Sequence, residues 1–483
     1  MSTLEHLYPE RVFYYFKQIA AIPHGSGNTK AISDYLVKFA KEHALTWYQD
    51  EANNVVLVKE ASKGYEKAPA IIIQGHMDMV CVAEDGYAYD PLRDPIKLVR
   101  SEKYLEAEGT SLGADDGIGV AEGIYLLKNA KEHGPLRLIV TVDEERGMTG
   151  AIHLAPEHLT DAQFLINCDS ENYDELTVGS AGSVDITFER ALQHESSPAG
   201  TAYRISVGGL LGGHSGERIG DGRGNALRTL AFLLQALSQQ GNVAVADFHG
   251  GKAHNAIPDT AEAVFVTAIP KEEISQILTA EKEKFLAIYG AVDPKVEFVL
   301  QETEKPAEVL RKDTAQALLQ LLTLVHTGVF AMSTVIPTLV ETSANLGVVR
   351  MTEGKIAVEY FPRSAVDGKL DEFIYAAKTL GDLLGFRAVI GTKSPGWKEN
   401  KQSVLAKMMA DIFQEQNGKP MKVETIHAGL ECGWHFGKHP QLDMVSIGVT
   451  TQDIHSPKER LVLATVEPQV RLIEETLRRI AQR

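Results

Sequence analysis

The stretch PAIIIQGHMD, residues 69–78, joins a run of apolar residues to a polar end. The same form recurs in RLIVTVDEE (137–145), in FLINCDSE (164–171) and, near the end of the chain, in DMVSIGVTT (443–451), which runs into QDIHSP. Strands that are apolar throughout and alternate with helical segments indicate a parallel sheet covered on both faces. We therefore expect an α/β fold with a mostly parallel sheet flanked by helices.

The strands expected in the middle of the chain have a different pattern of polar and apolar residues. Strands there alternate polar and apolar residues, as in SVDITFE (183–189) and YRISVGG (203–209). Such alternation is typical of antiparallel sheets with one solvated face. We expect one α/β domain built from residues 1–184 and 391–483, interrupted by an inserted α+β domain at 185–390.

Composition excludes several classes of protein. The 483 residues carry 48 Lys and Arg against 65 Asp and Glu, a net charge of −17, which argues against a nucleic-acid or anionic-membrane partner. No apolar run approaches the ~20 residues needed to span a bilayer, and no secretory signal is visible at the start. The three cysteines, Cys81, Cys168 and Cys432, form no CxxC pair. We expect a cytoplasmic protein without disulfides.

Ionisable side chains collect where the apolar strands end. In open α/β sheets ligands bind beyond the carboxyl ends of the strands, so these side chains are expected to converge. The candidates are His76, Asp78, Asp143, Glu144, Glu145, Asp169, Glu171, Asp453 and His455, with Asp115 and Asp116 from a loop–helix junction. Imidazoles and carboxylates without thiolates suit zinc, manganese or cobalt. One shared carboxylate would let such a set hold two metal ions about 3.5–4 Å apart.

Each of these signals also has a simpler explanation. His76 could be a structural histidine at a strand end, and Asp115 could cap a helix. Glu144 and Glu145 could form a solvated acidic turn, and His455 could be an ordinary loop residue. The glycines near Asp115 do not form the GxxxxGK[ST] motif, so a nucleotide site is rejected. The recurrence at four strand ends favours the metal hypothesis.

A set of motifs in order along the chain adds a family resemblance. GHMDMV, GADDGIG, VDEERGMTGA, NCDSE, HSGE, FPRS and IHSP together resemble the aminoacylhistidine dipeptidases, or peptidase D. These are dinuclear zinc peptidases of the aminoacylase and carboxypeptidase-G-like superfamily. The resemblance runs over essentially the whole chain, and it implies a metal-binding domain with an inserted lid domain.

The resemblance also implies roles for individual residues of the α/β domain. His76, Asp115 and Asp169 would hold one zinc ion, and Asp115, Glu145 and His455 the second, with cobalt or manganese as substitutes. Asp78 would orient His76, and Glu144 would be the general base. Arg146 departs from the family, which usually has a small residue after the paired glutamates, and this leaves the fine specificity open.

The inserted domain would supply the residues that bind substrate. His214 and Asn255 would donate to the developing oxyanion, and Arg363 would hold the substrate carboxylate, for which arginine is well suited. Gly429 would be the small residue beside the substrate. A surface salt bridge for Arg363 and a simple turn for Gly429 are the plainer alternatives.

The function implied is metal-dependent hydrolysis of dipeptides, Xaa-His among them, by a homodimer joined through the lid domain. The alternatives are an N-acyl amino acid amidohydrolase or carboxypeptidase of the same architecture, and a non-catalytic metal- or peptide-binding protein. A binding protein needs no general base, so Glu144 speaks against the last. The helix expected at 225–240 would present Leu227, Leu230, Leu234 and Leu237 either to a dimer partner or to the lid's own core.

Overall fold

The computed structural model describes residues 4, 6–334, 339–352 and 354–483. It divides into two units. The first unit contains Met1–Ser180, Trp397–Thr425 and Leu430–Arg483, and the second contains Ala181–Gly396 and Ile426–Gly429. The sequence analysis assigns 1–184 and 391–483 to the α/β domain, whereas the structure groups 181–184, 391–396 and 426–429 with the second unit.

The helices and strands are numbered in chain order. The first part of the first unit contains α1 (Glu10–Ala20), α2 (Lys30–Glu42), β1 (Thr46–Gln49), β2 (Val55–Lys59), β3 (Ile71–His76), β4 (Leu98–Arg100), β5 (Tyr104–Ala107), α3 (Ala114–Asn129), β6 (Leu136–Thr141), α4 (Thr149–His153), β7 (Phe164–Asn167) and β8 (Glu175–Ser180). The second unit contains β9 (Gly182–Ala191), β10 (His194–Ser196), β11 (Thr201–Gly208), β12 (Gly213–His214), α5 (Ala226–Ser238), β13 (Val243–Gly250), β14 (Ala256–Ile257), β15 (Ala261–Thr267), α6 (Lys271–Tyr289), β16 (Glu297–Glu302), β17 (Glu308–Leu310), α7 (Lys312–Leu324), β18 (Gly328–Met332), β19 (Val340–Thr352), β20 (Lys355–Ser364), α8 (Asp367–Leu384) and β21 (Arg387–Ser394). The chain ends with α9 (Val404–Asn417), β22 (Lys422–Ile426), α10 (Glu431–Lys438), β23 (Asp443–Ser446), β24 (Thr451–Gln452), β25 (Arg460–Val462) and α11 (Val466–Ala481).

The main sheet of the first unit has the strand order β1-β2-β6-β3-β7-β23-β8-β22. Its central strands β6, β3, β7 and β23 are parallel. Toward the edges, β2 pairs antiparallel with β6, and β8 with β23. The expected α/β fold is confirmed, and the four central strands, which are buried, are parallel.

The apolar runs form the core of this unit. Every residue of β3 is buried, which is why the sequence of this strand does not alternate. Helices α1 and α11 instead have one apolar face each, and residues such as Phe16 and Ile473 are fully buried against the core cluster. The core therefore lies between the sheet and amphipathic helices, as expected for a sheet covered by helices.

The second unit is an α+β structure with an antiparallel sheet. The strand order is β16-β11-β15-β13-β19-β20-β9-β21, with β18 paired to β19. The burial of β9 alternates strictly along most of its length, in agreement with its sequence pattern. A short ladder of β12 and β14 brings His214 opposite Ala256.

The leucines of α5 are core residues of the second unit. Leu227, Leu230, Leu234 and Leu237 are all fully buried among the apolar side chains of that unit. The interpretation of these four side chains as a dimer interface is therefore wrong, because their apolar surface is already covered within the chain. In the part of the chain that the structure describes, no helix is long and apolar enough to cross a membrane.

Candidate active site

The local fold explains why the candidate ligands meet. His76 is the last residue of β3, Glu144 and Glu145 begin a short 3₁₀ turn after β6, and Asp169 lies two residues beyond β7. Because β6, β3 and β7 are parallel neighbours, these side chains emerge at the same edge of the sheet. Asp115 reaches this edge from the first turn of α3.

Two groups of residues share Asp115. The first consists of His76, Asp115 and Asp169, whose ligand atoms all lie within 4.8 Å of one another. Nε2 of His76 is 3.1 Å from Oδ1 of Asp115 and 3.3 Å from Oδ1 of Asp169. His76 is almost completely buried, so its ring is fixed by the strand that carries it.

The second group consists of Asp115, Glu145 and His455, whose ligand atoms also lie within 4.8 Å of one another. Nε2 of His455 is 3.1 Å from Oδ2 of Asp115 and 2.8 Å from Oε1 of Glu145. The two oxygens of Asp115 therefore face different imidazoles. This is the arrangement that a carboxylate shared by two metal ions requires.

Asp78 contacts two of the residues at this edge of the sheet, His76 and Glu144. Nδ1 of His76 lies 3.0 Å from the backbone carbonyl oxygen of Asp78 and 3.5 Å from its carboxylate Oδ1. The carboxylate accepts hydrogen bonds from the hydroxyl of Ser26 at 2.8 Å and from the backbone N–H of Glu144 at 3.1 Å. Asp78 thus contacts both the far side of the His76 ring and the turn that carries the paired glutamates.

The electrostatics of the cluster favour bound cations. Burial alone would lower the pKa of His76, but the carboxylates of Asp169 and Asp115 raise it well above its ordinary value. Hydrogen bonds to Asp115 and Glu145 raise the pKa of His455 to about 10. Both imidazoles therefore sit in a strongly negative field, and a donor set of imidazoles and carboxylates in such a field fits divalent metal ions.

The surroundings of Glu144 favour the protonated form of its carboxyl group. Burial raises its pKa well above the ordinary carboxyl value, and the nearby charges of Asp169 and Glu145 add to this effect, while His76 opposes it. A third group, His76 with Glu144 and Glu145, also has its ligand atoms within 4.8 Å of one another. The paired glutamates therefore both lie at the cluster.

The remaining candidates of the first unit have other partners. Asp143 accepts a hydrogen bond from the backbone N–H of Gly27 at 2.6 Å, and Asp453 pairs with Arg460 at 3.4 Å. Asp116 accepts from the backbone N–H of His76 at 3.2 Å. These residues and Glu171 belong to none of the three groups found among the described residues. Arg146 is exposed, and its guanidinium donates to the carbonyl oxygen of Ser26.

Two glycines make room for Asp116. A Cβ atom at Gly75, next to His76, would collide with the Asp116 carboxylate, and so would a Cβ at Gly119. The carboxylate is thus enclosed by β3 and by the first turns of α3. Of the glycines around Asp115 in the sequence, Gly119 has this packing role, whereas a Cβ atom at Gly113 would meet Met79 and one at Gly117 would meet Phe16.

The substrate-binding candidates His214, Asn255, Arg363 and Gly429 all lie in the second unit. Nη2 of Arg363 is 3.4 Å from Nε2 of His214. The backbone carbonyl of Asn255 accepts from the N–H of Ser215 at 2.8 Å, which ties the Asn255 loop to that of His214. Gly429 lies exposed in the segment 426–429.

Arg363 is a buried guanidinium with few partners. Its side chain is only 5% exposed, and its Nε has no hydrogen-bond partner among the described residues. Burial lowers the pKa of Arg363 to about 10, although the charges of Asp185 and Glu217 act in the opposite direction. It remains a cation at neutral pH, and a buried cation of this kind suits an anionic ligand.

Sequence reasoning missed His427, a buried histidine whose ring is affected by the charges of this cluster. Nε2 of His427 is 2.7 Å from the hydroxyl of Ser343, and Ser343 is the register partner of Arg363 on the neighbouring strand. Burial lowers the pKa of His427 to about 3, helped by the charges of Arg363 and His214, so the ring is neutral. The only sequence signal was its position two residues before Gly429.

A buried polar network beside the candidate metal ligands was also missed. Oε2 of Glu431 accepts from Nε2 of Gln74 at 2.6 Å and lies 2.6 Å from the Thr141 hydroxyl. Nδ2 of Asn167 donates to Oε1 of Gln74 at 2.7 Å, and Oγ of Ser446 donates to Oδ1 of Asn167 at 2.5 Å. The network links all four central parallel strands. Four of its members, Gln74, Thr141, Asn167 and Ser446, are polar residues within otherwise apolar strands, and this interruption is the sequence signal that could have found them.

Comparisons with known proteins agree with this geometry. The sequence model of the family described as "Peptidase family M20/M25/M40" matches residues 72–479 of this chain. The cytosol non-specific dipeptidase of Escherichia coli (strain K12) is 34% identical over 493 residues, which cover 99% of each chain. The structure of aminoacylhistidine dipeptidase from Vibrio alginolyticus has a TM-score of 0.91 at 30% identity, covering 99% of this chain and 98% of that one. Human carnosine dipeptidase 1, at 12% identity and a TM-score of 0.52 over 99% of this chain and 98% of that one, shares the fold alone.

A parallel sheet with imidazoles and paired carboxylates at one edge, in a chain with these relatives, defines a metallopeptidase. The chain belongs to peptidase family M20/M25/M40. The resemblance seen in the sequence motifs is thereby confirmed.

Proposed function

We propose that this protein hydrolyses dipeptides, Xaa-His dipeptides among them, with the help of two zinc ions, for which cobalt or manganese can substitute. His76, Asp115 and Asp169 hold one ion, and Asp115, Glu145 and His455 hold the other. The single observation that carries this proposal is the position of Asp115, whose two carboxylate oxygens lie 3.1 Å from Nε2 of His76 and 3.1 Å from Nε2 of His455.

The chemistry divides between the cations and the chain. When bound, two cations held by these residues would polarise the scissile carbonyl and lower the pKa of a water molecule to about 7. Glu144 takes the proton of the attacking water at a carboxylate oxygen and delivers it to the nitrogen of the leaving amine. Its raised pKa supports this role, since the carboxyl group must hold the proton between the two transfers.

Asp78 positions His76 and the turn that carries Glu144. Through its contacts with the far nitrogen of His76 and with the backbone N–H of Glu144, it fixes the ring that binds metal and the turn that carries the base. Such contacts set the tautomer and orientation of a ligating histidine.

The second unit acts as a lid that recognises substrate. His214 and Asn255 donate to the oxyanion, Arg363 binds the substrate carboxylate, and Gly429 leaves space for the substrate. The burial of Arg363 and its shortage of partners support this assignment, because binding an anion would satisfy a charge that is costly to bury.

The working form is a cytoplasmic homodimer joined through the second unit. That unit has a cavity of about 430 Å³ whose lining includes Phe232 and Ile288, which are 43% and 70% exposed. Exposed apolar side chains around one cavity support burial against a second copy of the chain. Replacing Ile288 with Glu should then shift the mass in light scattering from dimer to monomer, whereas Glu at the exposed Tyr375 should not.

A substrate panel tests the proposed function. The protein is dialysed against zinc, manganese or cobalt and assayed with Xaa-His dipeptides, β-alanyl-histidine, N-acyl amino acids and longer peptides. Turnover of free dipeptides well above all other substrates is expected, with two metal ions per chain by elemental analysis and loss of activity to a chelator. Preference for N-acyl amino acids or for the C-terminus of longer peptides would replace the dipeptidase assignment by the corresponding alternative.

A further inference from the structure

One buried carboxylate accepts hydrogen bonds from the backbone at the start of α3. Glu459 is 3% exposed. Its Oε2 accepts from the N–H groups of Leu112 at 2.8 Å and Gly113 at 3.0 Å, and its Oε1 from those of Ala114 at 2.8 Å and Asp115 at 3.3 Å. Four consecutive peptide groups, ending at the shared carboxylate residue of the metal site, thus converge on one side chain.

This arrangement uses the full acceptor capacity of an ionised carboxylate. Each oxygen of Glu459 accepts two N–H groups, and a carboxylate offers about four lone-pair sites. No side chain within α3 caps its first turn, so the N–H groups there depend on Glu459. The segment needs this support, because Gly113 has φ of +69° and the backbone angles of Asp115 are not helical.

The same residue is tied to the loop that carries His455. Glu459 follows His455 by four positions, and its own N–H donates to the carbonyl oxygen of Ser456 at 3.1 Å. The next residue, Arg460, begins β25, which pairs with β5 and β24. Glu459 is therefore fixed from both sides in the chain, and its carboxylate connects the His455 loop to the Asp115 turn.

We infer that Glu459 is a positioning residue for the metal site, which sets the separation of Asp115 and His455 by holding the backbone of one against the loop of the other. This inference rests on the proposed function. The group most dependent on Glu459 is the one formed by Asp115, Glu145 and His455, because two of its three members lie on the segments that Glu459 joins.

The Glu459→Gln variant tests this assignment with little change of shape. The amide has one oxygen that can accept, while its NH₂ group would face two N–H donors at close range. Loss of these bonds frees the turn that carries Asp115. Partners of metal ligands typically contribute about 10- to 100-fold to metal affinity, and we expect a loss of this size for the second ion.

Asp443 provides a matched control in the same unit. Its carboxylate Oδ2 accepts from the backbone N–H groups of Val404 at 2.8 Å and Leu405 at 3.0 Å, at the start of α9. It lies at the amino end of β23, whereas the metal ligands lie at the carboxyl ends of the strands. Asp443→Asn therefore removes a comparable carboxylate–backbone contact without touching the site.

The experiment measures metal binding by the full-length protein. Wild type, Glu459→Gln and Asp443→Asn are titrated with zinc against a chelator and with cobalt by visible absorption, and circular dichroism monitors the fold. We expect two ions in wild type and in Asp443→Asn. In Glu459→Gln we expect a first ion that is retained and a second whose Kd rises about 10- to 100-fold with an altered cobalt spectrum.

Several outcomes would overturn the inference. These are wild-type affinity for both ions in Glu459→Gln, or an equal loss of the second ion in Asp443→Asn, which would indicate general destabilisation. If Glu459→Gln does not fold, Glu459→Asp replaces it: the charge stays but the reach is shorter, and an unchanged affinity for the second ion contradicts the inference. A wild-type chain that binds fewer than two ions overturns the dinuclear proposal itself, and the positioning role with it.

Discussion

Nε2 of His455 lies 3.1 Å from Oδ2 of Asp115, although 340 residues of chain separate the two. The other oxygen of Asp115 faces His76. One carboxylate thus connects the part of the first unit that precedes the inserted unit to the part that follows it. The proposed metal site is complete only when both ends of the chain have folded into one domain.

The paired glutamates are expected to differ in function. Glu144→Gln should retain both metal ions and lower kcat by about 10²- to 10⁴-fold, because an amide cannot accept the proton of water. Glu145→Gln should instead weaken metal binding, since its oxygen lies 2.8 Å from Nε2 of His455 at the second group. Elemental analysis and steady-state kinetics of the two variants check this. Equal metal loss in both, with Glu144→Gln still active, would contradict the division.

Replacing Arg363 should weaken the binding of substrates that have a free carboxylate. Arg363→Ala should raise KM for free dipeptides about 10- to 100-fold, or ~1.5–3 kcal/mol, the usual contribution of hydrogen bonds to charged groups. C-terminally amidated dipeptides, which carry no carboxylate, should be nearly unaffected. The exposed Arg387, which pairs with Glu189, is the control position for Arg387→Ala. If KM rises equally for both kinds of substrate, Arg363 has a structural role.

Complementation decides whether His214 serves its own chain or the partner's. Glu144→Ala and His214→Ala, each inactive alone, are co-expressed. In a two-fold dimer with exchange of His214, random pairing restores about a quarter of wild-type sites. If each His214 serves its own chain, the mixture remains as inactive as either parent. Kinetics of the purified mixture against the separately purified variants provides the measurement.

His435 should make the protein less stable in acid. Its ring is completely buried in α10, and neither nitrogen has a hydrogen-bond partner among the described residues. Burial lowers the pKa of His435 to about 3, with a contribution from Lys438. Between pH 7 and 5 the unfolded chain therefore binds a proton that the folded chain excludes, and the free energy of unfolding falls by about 2 kcal/mol as pH decreases.

The His435→Leu variant tests whether the buried His435 ring causes this loss of stability in acid. Its free energy of unfolding should change less between pH 7 and pH 5 than that of wild type, by about 2 kcal/mol, in urea denaturation at both pH values. His194→Leu, at an exposed position, should keep the wild-type pH dependence. An identical pH dependence in wild type and His435→Leu would show that the buried ring is not the group responsible.

The sequence by itself determined the central strands and the residues at their ends. A fully buried strand such as β3 must be apolar along its whole length, and the polar residue that ends it, His76, is therefore visible locally. The positions of Asp169 and of Glu144 and Glu145 follow from the same short-range pattern. For these residues, topology adds only that parallel neighbours end at one edge of the sheet.

The tertiary structure alone decided which distant residues meet. The pairing of His455 with Asp115, the four N–H groups bound by Glu459, and the contact of His427 with Ser343 join segments far apart in the chain. The direction in which α5 turns its leucines was also open, because an amphipathic helix shows an apolar face but not what covers it. Periodicity records local burial, whereas these contacts depend on how the folded strands and loops are brought together in space.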